Sequence, residues 1–278
     1  MDSVPMRFAL KLAYDGTAFS GSQRQPPPVH TVEGAVTRAA RDLGILGGEG
    51  WFVLGSRTDA GVCALGNVGA LDTDFDPDAL IPALNSALED AWVYGSAEVG
   101  DGFNPRHAKE RWYRYLIPGD GMEMQKVRRI ASIFEGEHDF THFSKLDSTA
   151  ERSPVRTIAS IEASDIDDFL ALDVRGESFL WQMVRRIAGA VRMGGTGELT
   201  YAQIEDALLR PEKYNGPVIP PLPPQGLWLM DVDCGIEFAL EPLPERFQRA
   251  HLHSRLKASF YSELERRLMS APSSSAAL

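Results

Sequence analysis

Leu54-Gly55-Ser56-Arg57-Thr58-Asp59-Ala60-Gly61-Val62-Cys63-Ala64-Leu65-Gly66-Asn67 is the stretch around which the chain is organised. It follows an apolar run, Trp51-Phe52-Val53-Leu54, that reads as a short buried strand. Three glycines then bracket an Arg-Thr-Asp triplet. Glycine tolerates positive φ and close backbone approach, so such a segment turns sharply and can present one side chain in a cleft. An aspartate there serves as nucleophile or base, and an arginine two residues away meets phosphate or keeps a carboxylate ionised. The same residues also fit a polar loop with a surface Asp-Arg pair.

Upstream, Met6-Arg7-Phe8-Ala9-Leu10-Lys11-Leu12-Ala13-Tyr14 alternates, with Met6, Phe8, Leu10, Leu12 and Tyr14 on one face. That is the pattern of a half-buried strand in an antiparallel sheet. Asp15-Gly16 turns the chain, Gly21-Ser22-Gln23-Arg24-Gln25 follows, and Pro26-Pro27-Pro28 forms a stiff connector. Val32, Ala35, Val36, Ala39, Ala40 and Leu43 fall at helical spacing before Gly44. Downstream, Val68 to Leu71 is apolar. Asp72-x-Asp74-x-Asp76 is not a calcium loop, because Pro77 and Ala83 stand where glycine and glutamate are required. Asp76 instead caps a helix starting at Pro77.

From Glu110 to Pro118, alternation puts Tyr113, Tyr115 and Ile117 on one face and Trp112, Arg114 and Leu116 on the other. Aromatics interleaved with arginines suit stacking on unpaired bases, and equally suit an aromatic core strand. A helix is expected over 124–134 and strands over 155–162 and 169–174. His138 and His142 lie four apart, as metal ligands on a helix would, without a third ligand in view. Leu180, Val184, Ile187 and Val191 form a helical stripe that Gly194-Gly195 should end, with Arg185 and Arg192 on another stripe. Thr200-x-x-Gln203 is a capping box, and a proline-rich connector over 217–224 leads into a strand over 226–232. Phe247, Leu252, Leu256, Phe260, Leu264 and Leu268 mark an amphipathic helix, after which residues 270–278 are expected to be disordered.

The chain's 278 residues carry a net charge of −11, which at face value disfavours nucleic acid. The charge is segregated, however. Residues 72–90 hold six acids and no Lys or Arg, whereas residues 178–197 hold Arg185, Arg186 and Arg192 and no acid. An acidic protein with segregated basic stretches can still hold RNA, and composition alone does not decide it. No apolar run approaches the roughly 20 residues of a membrane helix, and no leader pattern opens the chain, so a cytoplasmic protein is expected. Cys63 and Cys234 form no paired motif, which argues against a disulfide framework or thiolate metal site. Neither nucleotide-binding glycine motif is present, so no nucleotide cofactor is expected.

Arg57-Thr58-Asp59-Ala60-Gly61-Val62 resembles the catalytic loop of the TruA family of tRNA pseudouridine synthases. Two departures are Ser56, where the family often has glycine directly before the arginine, and Cys63, where it often has His or Ser. Tyr14-Asp15-Gly16 and Gly21-Ser22-Gln23-Arg24-Gln25 also resemble the family, which usually has Trp at Ser22, so looser local packing is expected there. Phe103, Arg106, Arg111, Tyr113 and Tyr115 match a further motif, as does Phe179 to Gly189. The resemblance covers about residues 6–235 and looks most similar to archaeal members.

The resemblance implies an α+β fold, two similar halves around a continuous, mostly antiparallel sheet with helices on one face and a central RNA-binding cleft. The halves would be 1–104, with the aspartate loop, and 105–235, with Tyr113 and Arg185; 236–278 would be an extension. It implies a homodimer acting without cofactor or metal on uridines 38, 39 and 40 of the tRNA anticodon arm. Asp59 would be the nucleophile, Arg185 its ionic partner and Tyr113 the stacking residue. Arg57, Arg24, Arg106, Arg111 and Arg186 would contact RNA. Two other readings stand beside it: a glycoside hydrolase, which needs a second carboxylate, and a non-catalytic RNA-binding module.

Overall fold

Strand β1 (Met6–Tyr14) buries Phe8, Leu10, Leu12 and Tyr14, as its alternation requires, and leaves Met6 exposed at its outer end. The structure is a computed structural model and describes residues 5–119, 121–146 and 153–269. Thr31 caps helix α1 (Val32–Asp42), its hydroxyl accepting from the Gly34 N–H. The strand expected over 51–54 shortens to β2 (Val53–Leu54). Trp51 is exposed rather than buried, with the guanidinium carbons of Arg24 and Arg41 at 3.3 and 4.1 Å from its ring centre. Cation–π attraction holds the indole at the surface.

Strand β3 (Cys63–Thr73) takes up the second half of the glycine-framed stretch. Gly69 within it marks close packing, since a Cβ there would run into the Phe52 ring. Asp76 caps helix α2 (Pro77–Ala87) by accepting from the Asp78 N–H. Strand β4 (Ala91–Val99) has no counterpart in the sequence reading. Its buried positions are the small Ala91, Val93 and Gly95, while Trp92 and Tyr94 are only half-buried, which masks the usual alternation.

Strand β5 (Glu110–Pro118) buries Tyr113, Tyr115 and Ile117. Helix α3 (Met124–Ser132) and strand β6 (Gly136–Asp139) follow. The two histidines do not share a helix: His138 lies on β6 and His142 in the short 3-10 turn after it, and each ring Nε2 meets a backbone carbonyl, of Glu135 and Pro211 respectively. The single strand expected over 155–162 is two, β7 (Val155–Ile158) and β8 (Ser160–Ile166), before β9 (Phe169–Gly176).

Helix α4 (Met183–Thr196) starts after Leu180 and runs through Gly194-Gly195, ending instead at Gly197 with φ 84°. The two glycines are close-packing positions: a Cβ on Gly195 would lie 2.9 Å from Met122 Sδ and 3.4 Å from Val127. Helix α5 (Tyr201–Leu209) carries the full capping box of Thr200 and Gln203. Strands β10 (Leu227–Asp233) and β11 (Ala239–Leu240) complete the first compact unit, which ends at Leu240. The second unit, from Glu241, contains helix α6 (Glu245–Met269), on which Leu252, Leu256 and Phe260 are exposed. The tail expected to be disordered, 270–278, lies outside the described residues.

Nine strands form one sheet in the order β11-β4-β1-β3-β10-β5-β9-β8, with β2 on β3. Every pairing is antiparallel except β10 with β3, where Trp228 lies beside Cys63. Strand β10 thereby joins the N-terminal strands to β5, β9 and β8. It sets the start of β3, immediately after the Asp59 loop, one strand away from Tyr113. Helices cover the face that Tyr113, Tyr115 and Ile117 share. The other face carries ion pairs Arg7–Asp72, Lys11–Asp231, Arg114–Asp173 and Arg175–Glu110 at 2.7 to 2.9 Å. These are partly exposed and weakly stabilising, and they keep this broad sheet face wettable.

Candidate active site

Asp59 sits at the tip of the loop between β2 and β3. A buried polar network fixes that loop. Asn67 donates to Ser56 O and to Tyr14 Oη, and Tyr14 Oη lies 2.9 Å from Thr58 Oγ1. Burial pushes the Tyr14 hydroxyl up to about 12, so it remains a neutral hydrogen-bonding group. Gly61, at φ 85°, makes the turn and donates to Gly16 O. Ser22, expected to loosen this region, is buried and ties it together: its Oγ accepts from Thr58 N–H and its N–H donates to Thr58 O.

Two long-range donors occupy the Asp59 carboxylate. Arg185 Nη1, from the first turn of α4, donates to Oδ2 at 2.7 Å. Trp181 Nε1, four residues earlier, donates to Oδ1 at 3.0 Å. Arg185 is itself oriented by its Nε donating to Leu222 O at 2.8 Å, and Leu222 N–H returns a bond to Arg185 O. The proline-rich strap of residues 217–224 thus lies along α4. Its carbonyls also take Arg186 Nη1 at Ile219 and the Tyr115 hydroxyl at Pro223.

Asp59, Arg57, Tyr113 and Arg185 line one cavity of about 960 Å³, together with Gln23, Lys145 and Trp181. Tyr113 packs edge-on against Phe179, ring centres 5.2 Å apart, and burial drives its hydroxyl well above the ordinary tyrosine range. Asp59 is the sole acid among the described lining residues, so among them there is no second carboxylate of the kind a glycoside hydrolase needs.

The remaining candidates divide. Arg24 is exposed and lies against Trp51, and Arg106 is exposed; neither lines the cavity. The Arg111 guanidinium is committed to protein acceptors: Nε to Ser56 Oγ at 2.9 Å, Nη2 to Arg106 O at 2.9 Å, and Nη1 to Glu177 O. Ser56, a departure from the resembled motif, is therefore a clamp point. Arg186 lines a separate cavity of about 240 Å³. Burial, then the Arg185 charge, lowers its pKa from the ordinary value. Among the described residues no group of three or more His, Cys, Asp or Glu is placed to hold a metal. No described helix is long and apolar enough to cross a membrane.

Sequence reading missed Trp181 and Lys145. Trp181 precedes α4 at a turn where Gln182 adopts φ 62°, and nothing in the pattern announces that a non-glycine residue takes the left-handed region.

Fold and site together define an α+β protein in which one ion-paired carboxylate lines a cavity of about 960 Å³. A family model described as tRNA pseudouridine synthase matches residues 130–233. The tRNA pseudouridine synthase A of Pyrococcus abyssi is 44% identical over 238 residues, covering 84% of this chain and 88% of that protein. That of Thermococcus kodakarensis is 40% identical over 272 residues, 93% and 100% of the two chains. That of Methanosarcina mazei is 44% identical over 236 residues, 84% and 86%. The chain belongs to the TruA family of tRNA pseudouridine synthases, in its archaeal form, and is an isomerase.

Proposed function

We propose that the cavity isomerises uridine to pseudouridine in the anticodon stem-loop of tRNA, at positions 38, 39 and/or 40, with Asp59 as nucleophile. The observation that carries this reading is Asp59, the one carboxylate among the described cavity residues, ion-paired to Arg185 at 2.7 Å. A base within a stack is out of reach, so the target uridine is extruded into the cavity. Its N1–C1′ bond breaks, the uracil turns, and C1′ bonds to C5. The proton on C5 is lost and N1 gains one, so no oxidant or group donor is consumed. An adjacent guanidinium favours the ionised carboxylate that such a nucleophile requires.

In this reading Tyr113 stacks on the uracil and Arg57 enters the space the base vacates. Arg24 and Arg106 contact phosphates, and Arg111 and Arg186 brace the cleft. Residues 1–104 and 105–235 act as two halves, with 236–278 an extension, and two copies of the chain hold one tRNA in the cytoplasm. The substrate positions and the dimer are what the resemblance implies.

The test uses tRNA tritiated at uracil C5. Wild type releases label to water at the anticodon-arm uridines, whereas Asp59→Ala binds tRNA with unchanged affinity and releases none. Label release by Asp59→Ala at the wild-type rate would remove Asp59 from the chemistry. Light scattering checks the dimer.

A further inference from the structure

We infer that Trp181 is a positioning residue for Asp59: its indole N–H and the Arg185 guanidinium together fix the plane of the carboxylate. This deepens the proposed function and rests on it. A carboxylate held at one oxygen still pivots about its bond to Cβ. Arg185 holds Oδ2 at 2.7 Å, and the indole, four residues before it, holds Oδ1 at 3.0 Å. With both oxygens engaged, the lone pairs left over point in one fixed direction, which is the requirement for attack on a single atom of an extruded nucleotide.

Trp181 is built for this role rather than for the core. Its side chain is half exposed, so the ring adds little to burial, and it lines the same cavity as Asp59 and Tyr113. Lys145 holds the residue in two ways: its Nζ lies 4.2 Å from the ring centre, and its backbone N–H donates to Trp181 O at 2.8 Å, fixing the main chain from which the ring projects. The following residue, Gln182, takes the left-handed conformation that lifts Trp181 off the axis of α4 and toward the aspartate loop. Arg185 and Trp181 thus flank the start of one helix and reach the carboxylate from two directions.

Trp181→Phe keeps a ring and removes the N–H. Trp181→His restores a ring N–H at a comparable distance from the backbone. The expected result is that Trp181→Phe lowers single-turnover kcat about 10- to 100-fold, the range for losing a hydrogen bond to a charged group, with tRNA Kd within about threefold of wild type. Trp181→His should recover most of the loss. Wild-type kcat in Trp181→Phe would overturn the inference. So would an equal loss in Trp181→His, which would assign the effect to the ring, or a rise in Kd with kcat intact, which would make Trp181 a substrate-binding surface. Asp59→Ala, run alongside, separates the two levels: if it retains isomerisation, the proposed function fails whatever Trp181 does.

Discussion

At the scale of single residues, the site depends on how many partners each side chain serves at once. Arg185 is partly buried and bridges two parts of the molecule, Asp59 through Nη1 and Leu222 O through Nε. A lysine has the charge, but its donors share one nitrogen, which cannot span acceptors that Arg185 reaches with two separate nitrogens. Arg185→Lys is expected to lower kcat roughly thirtyfold, about 2 kcal/mol after allowing for the partial exposure of Asp59, with tRNA affinity little changed. Single-turnover tritium release and a binding titration check this, and an undiminished kcat would show that charge alone suffices. Asp59 and Arg185 were legible in the sequence through the motifs around them. Trp181 was not, because its contact depends on one residue at positive φ, and side-chain chemistry does not encode that.

At the scale of elements, periodicity worked where the buried face carried the large side chains, as in β1, β5 and α1. It failed in β4, whose large side chains, Trp92 and Tyr94, lie on the less buried face. It also misplaced the end of α4, because Gly194-Gly195 looks the same in sequence whether it stops a helix or lets a neighbour approach. Gly189 belongs to the second kind. A Cβ there would collide with Pro220 O, in the strap that orients Arg185. Alanine normally favours a helix interior by about 1 kcal/mol over glycine. Here Gly189→Ala is expected to destabilise the protein by about 1–3 kcal/mol through overpacking, and to lower kcat as the strap shifts. Urea denaturation and label release measure the two effects. A stabilised variant would show that the strap yields freely.

At the scale of the whole molecule, the sequence carried the α+β class, but not the parallel pairing of β10 with β3 that closes nine strands into one sheet. That pairing joins residues more than 160 positions apart, Cys63 and Trp228, and no local pattern reports it. The core also stores proton affinity. Burial pushes Tyr14, Tyr94 and Tyr115 from 10.0 up to about 12. The unfolded chain therefore loses these protons first as pH rises. Their contribution to stability is present in full below about pH 10 and is lost progressively as pH climbs through about 12. Urea midpoints should stay level near pH 9 and fall between pH 10 and 12, in step with tyrosine ionisation followed by absorbance. A midpoint that rose across that interval would contradict the assignment.

The strap beside α4 has one more effect. Five of its eight residues, 217–224, are proline. Proline has no backbone hydrogen to offer and little rotational freedom to lose. Such a segment cannot be recruited as an extra strand, and its oxygens stay turned toward whatever donors lie alongside. The two arginines and two tyrosines that use those oxygens, Arg185, Arg186, Tyr115 and Tyr214, are therefore oriented before any nucleic acid arrives. Docking then has less motion to quench, and more of its free energy remains for unstacking a base.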